Sequence, residues 1–151
     1  MKRATFLLTL LLLTAVGFTA VACSNNEEEP ITVADPWGRT SPSAAANGAF
    51  YMMLTNNSNA DDTLLTVSTD ACGVVELHEM YDKGDGVMGM RPIEGSAIPV
   101  PAGESAELKP GGMHVMCMMK QIQFEEGSEI PITLTFENAG EMEITAVIRD
   151  N

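Results

Sequence analysis

From Ile130 to Arg149 the chain alternates. Ile132, Leu134 and Phe136 take every second position, and Thr133, Thr135 and Glu137 stand between them. Successive strand side chains leave opposite faces, so this pattern suits a sheet with one face in the core and one in water. Asn138-Ala139-Gly140 interrupts it with a glycine that supplies positive φ, and Glu141–Arg149 then resumes, which reads as a hairpin. Further short β-rich runs are set off by Gly, Pro, Asn and Asp: Ile31–Ala34, Ala49–Thr55, Thr63–Thr69, Val74–Tyr81, Val87–Arg91, Ala97–Val100, Ser105–Lys109 and His114–Lys120. Past residue 30, no stretch keeps an apolar 3.6-residue period for three turns. The expectation is an all-β domain over 31–151, a β-sandwich or Greek-key barrel with an adequate single core and no internal repeat.

The first thirty residues differ in kind. Lys2 and Arg3 precede an apolar run from Phe6 to Val21, the layout of a secretory signal peptide. The run is near the shortest that spans a bilayer, so a retained anchor is the competing reading. Ala20-Val21-Ala22-Cys23-Ser24 is similar to a bacterial lipobox, although Ala20 stands where Leu is commoner. Residues 1–22 are therefore expected to be a lipoprotein signal peptide, and Cys23 the lipidated residue of an extracytoplasmic protein (in a periplasm or on the outer face of the cell membrane), anchored through lipid only. Ordinary cleavage after Ala22 would leave a soluble protein instead. Residues 23–30 carry SNNEEEP after Cys23 and read as an acidic tether.

The whole chain has a net charge of −13 from 8 basic and 21 acidic residues; without Lys2 and Arg3 the basic count is 6 and the net charge −15. Such a surface does not suit nucleic acid, whose phosphates require Lys and Arg. Cys72 and Cys117 are the cysteines left after Cys23. Export permits a disulfide between them, and two buried free thiols is an equal reading.

The chemistry lies in eleven methionines and two histidines. Met80, Met88, Met90, Met113, Met116, Met118 and Met119 fall in the same stretch as His78 and His114. Thioether is a soft donor and imidazole a borderline one, a set that suits Cu(I), with Ag(I) as a mimic, rather than Ca²⁺ or Mg²⁺. His78 and Met80, Met88 and Met90, and His114 and Met116 are i, i+2 pairs on expected strands, so each pair shares a face, while Val115 and Cys117 point the other way. Taken singly, each methionine is more often core filler. Met52, Met53, Met118, Met119 and Met142 are read that way.

The segments His78-Glu79-Met80, Gly86-Val87-Met88-Gly89-Met90-Arg91-Pro92, Ile98-Pro99-Val100-Pro101-Ala102-Gly103 and Glu107-Leu108-Lys109-Pro110-Gly111-Gly112-Met113-His114-Val115-Met116 together resemble the PCu(A)C family of bacterial extracytoplasmic copper chaperones. Trp37-Gly38-Arg39 and Gly48-Ala49-Phe50-Tyr51-Met52 extend the likeness over most of the mature chain. The resemblance implies a cupredoxin-like sandwich with His78, Met90, His114 and Met116 as Cu(I) ligands. It also implies delivery of copper toward the copper centre of cytochrome c oxidase, to an accepting oxidase subunit or with a Sco-type chaperone.

Two departures stand out. Eleven residues separate His78 from Met90, one more than usual in the family, which leaves Met88 in competition. Twenty-three separate Met90 from His114, two more than usual, and the surplus around Ala97–Pro101 reads as a loop able to absorb it. Met80, Met88 and Met113 are expected as an apolar rim or as additional ligands.

Three rival readings were weighed. A blue-copper electron carrier needs His₂Cys with a weak axial Met, and strand alternation turns Cys117 away from His114. A metal-dependent or nucleophilic enzyme lacks a third histidine and any hydrolase motif, so no catalysis is expected. The third is a sandwich-fold binding module without metal.

Overall fold

A sheet face is filled by every second residue, and the alternation seen in the sequence builds ten strands in the computed structural model, which describes residues 29–150. They are β1 Ile31–Arg39, β2 Gly48–Asn56, β3 Asp62–Ser68, β4 Cys72–Asp82, β5 Met88–Pro92, β6 Ile98–Val100, β7 Ser105–Leu108, β8 His114–Lys120, β9 Glu129–Phe136 and β10 Gly140–Arg149. Each expected strand is present. The leader, Cys23 and most of the tether lie outside the described residues. Among the described residues no helix is long and apolar enough to cross a membrane.

The strands join in the order β5-β4-β8-β2-β1-β10-β9-β3-β6, and β7 pairs with the second half of β2. The sheet folds over as an all-β sandwich, with β5 and β6 at the two ends of the path. β5, β4, β8, β2 and β1 follow one another along one half of it, and β10, β9, β3 and β6 along the other. β1 runs antiparallel to β2 and parallel to β10, so it joins the two halves. Phe50, Leu54, Leu64, Val115, Ile130, Leu134 and Ile148 are fully buried between them. Burying each such side chain stabilises the fold by about 1.5–3 kcal/mol.

The β9–β10 hairpin forms as expected, with Gly140 at φ 78° and paired to Phe136. The buried Asp62 carboxylate accepts hydrogen bonds from the backbone N–H groups of Thr63, Asn138 and Ala139 at 2.7, 3.0 and 2.9 Å. A buried acid is tolerated there because its own strand supplies one backbone donor and the β9–β10 turn the other two.

Two local expectations change. β1 does not stop at Ala34 but continues to Arg39. Asp35 takes φ 49°, and the register with β2 shifts between Ala34 and Trp37. Pro36 has no N–H for the ladder, so it falls in a bulge, and pairing resumes beyond it. Ala97–Pro101 is not a slack loop either. Ile98 and Val100 are buried, and β6 pairs with β3. The slack lies one step earlier, in the 3₁₀ turn Glu94–Ser96, where Gly95 and Ser96 have φ of 77° and 53°.

Cys72 and Cys117 form a disulfide with Cα atoms 5.4 Å apart, which decides between the two readings left open above. It ties the start of β4 to the middle of β8 and closes a loop of 45 residues. By the chain-entropy relation a loop of that length gives about 4 kcal/mol of stability. Urea melts with and without reductant check this: a Cys72→Ala/Cys117→Ala variant loses about 4 kcal/mol in the same relation.

Candidate functional site

The β4–β8 ladder faces Val75 with Cys117 and Leu77 with Val115, and these side chains fill the core. The residues between them must leave the opposite face of the sheet. They are Glu76, opposite Met116, and His78, opposite His114. The next rung outward on β4 is Met80, which pairs with Met90 of β5. On the other side of β8, Ala49 of β2 lies opposite Met116, and Tyr51, two residues on, shares that face. Imidazoles and thioethers from β4, β5 and β8 therefore occupy one side of one layer.

This face carries a cavity of about 330 Å³. Met80, Met90, His114, Met116, Ala49 and Tyr51 line it. Arg39, Ser41, Pro110 and Gly111 close its rim. His78 and His114 are 7% and 5% exposed, so both are nearly withdrawn from water although neither is in the main core. Their ring centroids are 5.8 Å apart with planes inclined at 62°. With a ring nitrogen about 2 Å from an ion, two imidazoles sharing it have centroids roughly 5–6 Å apart. The pair therefore has the separation of two ligands to one ion.

Hydrogen bonds fix both rings. His114 Nδ1 donates to the carbonyl of Gly112 at 3.0 Å. His78 Nε2 donates to the Glu76 carboxylate at 2.8 Å. His78 Nδ1 is buried with no hydrogen-bond partner. A buried polar atom without a partner is costly, and a metal ion is one partner that would satisfy it. Among the described residues, no three His, Cys, Asp or Glu side chains gather into a metal cluster. The donors in the cavity beside His114 are the thioethers of Met80, Met90 and Met116, a set that suits a soft cation.

An aromatic stack supports the floor. Tyr51 lies 6.4 Å from the His114 ring and 4.6 Å from Trp37, centroid to centroid. The Arg149 guanidinium sits 4.8 Å over Trp37 and pairs with Asp35 at 2.6 Å. Burial pushes the Tyr51 hydroxyl above its usual pKa, against the opposing pull of Arg39. The phenol therefore stays neutral at physiological pH and adds no anionic oxygen to the cavity. Gly48 permits the close packing behind the site, since a Cβ there would stand 2.5 Å from the Phe124 ring.

The structure gathers His114, Met80, Met90 and Met116 around one cavity, and His78 lies against His114 without itself lining that cavity. Met88 is placed differently: it pairs with Asp82 one rung further out, is 53% exposed and does not line the cavity. Met113, unlike the exposed Met88, departs from the rim expectation. It packs against the core, because the residue before His114 in an extended chain points to the opposite face. Cys117 is consumed by the disulfide and provides no thiolate. Glu76 was missed in the sequence, although Glu-x-His on one strand face was the available signal. Arg39 and the supporting role of Trp37 and Tyr51 were missed because a bulge and a cross-strand register place them.

The model of a family described as "Putative lipoprotein LpqE-like" matches residues 31–148. "Putative lipoprotein Lxx21020" of Leifsonia xyli subsp. xyli (strain CTCB07) is 27% identical over 124 residues, 82% of this chain and 72% of that protein. Among solved structures, the apo PCuAC domain from PmoF1 superposes with a TM-score of 0.67 at 26% identity, covering 81% of this chain and 95% of that one. The solution structure of CuI-DR1885 from Deinococcus radiodurans gives a TM-score of 0.65 at 23% identity, covering 85% and 84%. The cupredoxin-like sandwich expected from the sequence is thus the fold observed. With a family model spanning all ten strands, the chain belongs to the LpqE-like family of PCuAC proteins.

Proposed function

We propose that this protein is an extracytoplasmic Cu(I) carrier whose ion is held by His78, His114, Met90 and Met116, with Met80 as a further thioether beside it. The observation that carries the reading is the opposition of two buried imidazoles across one ladder, with thioethers from three strands around a single cavity. The copper-loaded state named for DR1885 and the PCuAC fold of the PmoF1 domain support the same ion. Neutral His and Met donors bind Cu(I) without a thiolate and favour it over Cu(II). Such a shell releases its ion by ligand exchange, which is what a carrier needs. With Cys117 in the disulfide, the His₂Cys shell of a blue-copper electron carrier has no cysteine from β8. Nothing in the cavity resembles a nucleophile with its base, and the reading is of a carrier rather than an enzyme.

The exposed thioether of Met90 lines the cavity, and Val87, just before β5, and Met88 of β5 are exposed near it in sequence. This apolar rim is where an acceptor would approach. The acceptor is an oxidase subunit that builds the cytochrome c oxidase copper centre, or a Sco-type chaperone acting with it. Attachment to the membrane is through lipid on Cys23.

Competition titration of Cu(I) against a chromophoric chelator tests the ligand set. His78→Ala and His114→Ala each lower affinity by about a hundredfold or more, and Met90→Ala and Met116→Ala by about tenfold. Met142→Ala, which alters a residue packed on the core, leaves it unchanged. Unaltered affinity in both histidine variants would overturn the site. The same titration run toward acid gives weakening affinity, because protons compete with the ion for the imidazole lone pairs. Mixing the Cu(I)-loaded protein with the soluble copper-site domain of an oxidase subunit, and separately with a Sco-type protein, tests delivery. Copper that stays on the carrier in both mixtures removes the proposed acceptors.

A further inference from the structure

The two imidazoles do not offer the same atom. His114 Nδ1 lies 3.0 Å from the Gly112 carbonyl, which can only accept, so Nδ1 carries the proton and Nε2 keeps the lone pair. His114 lines the cavity, and that lone pair is its free donor. Across the ladder the pattern reverses. His78 Nε2 lies 2.8 Å from a Glu76 carboxylate oxygen, which accepts, so Nε2 carries the proton. The lone pair then falls on Nδ1, the buried atom with no partner in the protein.

Glu76 precedes His78 by two residues and shares its face, so the strand itself delivers the carboxylate to the ring. The Glu76 side chain is 42% exposed and the His78 side chain 9%. Water can therefore solvate the outer part of the carboxylate while its inner oxygen grips the buried ring. A carboxylate oxygen is a hard donor and a poor direct ligand for a soft ion. Glu76 has the placement of an orienting group behind a ligand, the usual partner of a metal-bound histidine.

We infer that the ion is bound through Nδ1 of His78 and Nε2 of His114, and that Glu76 is the positioning residue that selects Nδ1 on His78. This rests on the Cu(I) reading above and adds a specific claim to it. The unequal nitrogens let two rings that face each other across adjacent strands aim at one point. Gly112 and Glu76 each block the nitrogen that is not used.

Nitrogen-15 NMR of the histidine rings tests this on the folded protein, first without metal and then with Ag(I) as a diamagnetic probe. Without metal, at alkaline pH, the expected tautomers are Nε2–H for His78 and Nδ1–H for His114. On adding Ag(I), the resonances that move most are Nδ1 of His78 and Nε2 of His114. Glu76→Ala abolishes the tautomer preference of His78 and lowers Cu(I) affinity by about 10–100-fold. Glu76→Gln, whose amide oxygen can still accept from Nε2–H, restores most of both. Glu79→Ala, which removes the neighbouring carboxylate paired with Arg91, changes neither. If both rings respond to Ag(I) but His78 does so at Nε2, the inference falls and the metal site stands. If neither ring responds, both fall. An unchanged His78 tautomer and affinity in Glu76→Ala would remove Glu76 from the positioning role.

Discussion

The register of β4 against β8 is the constraint on which the site depends. Val75 faces Cys117 and Leu77 faces Val115 on the core side. On the outer side the same register sets Glu76 against Met116 and His78 against His114. A slip of one residue would bury His78 in the core and turn Leu77 out to the cavity. The apolar face thus enforces the polar one, and the Cys72–Cys117 disulfide holds the two strands together at the far end. The approach of the imidazoles is a consequence of core packing, which does not need an ion to establish it.

That arrangement also explains the chemical character of the cavity. The chain is strongly acidic, yet no carboxylate lines the cavity, whose walls are thioethers, an imidazole, a neutral phenol, the Arg39 guanidinium and small or uncharged polar residues. Glu76, the carboxylate closest to the imidazoles by hydrogen bonding, is engaged with His78. Carboxylates are thus kept out of the cavity lining. The stack from Asp35 through Arg149, Trp37 and Tyr51 stiffens the His114 side. Exposure rises toward Met90 and Met88 on β5.

Much of this was legible before folding was considered. Alternation from Ile130 onward, Gly140 at a turn and punctuated runs elsewhere located all ten strands, because a half-buried strand must repeat every two residues. Same-face pairing within a strand was equally readable, which is why His78 with Met80 and His114 with Met116 were found. Errors arose where the answer lay in another strand. The sequence predicts a first strand that ends at Ala34, but a bulge against β2 carries β1 past Pro36. Ala97–Pro101 reads both as a strand and as a loop able to absorb extra residues, and its pairing with β3, which buries Ile98 and Val100, decides for the strand. Met88 and Met90 share a face, and only their partners on β4, Asp82 and Met80, separate them.

The amino-acid order alone determined the soft-donor inventory, the period of two and the pairs of donors that share a face, since these follow from local backbone geometry and side-chain chemistry. Tertiary structure decided which rungs meet: His78 opposite His114, Met80 opposite Met90, and Cys72 bonded to Cys117. It also decided which nitrogen of each ring is left free, through Glu76 on one side and Gly112 on the other. Those outcomes depend on cross-strand register, which is set by filling one shared core, and no single strand carries that information in its own sequence.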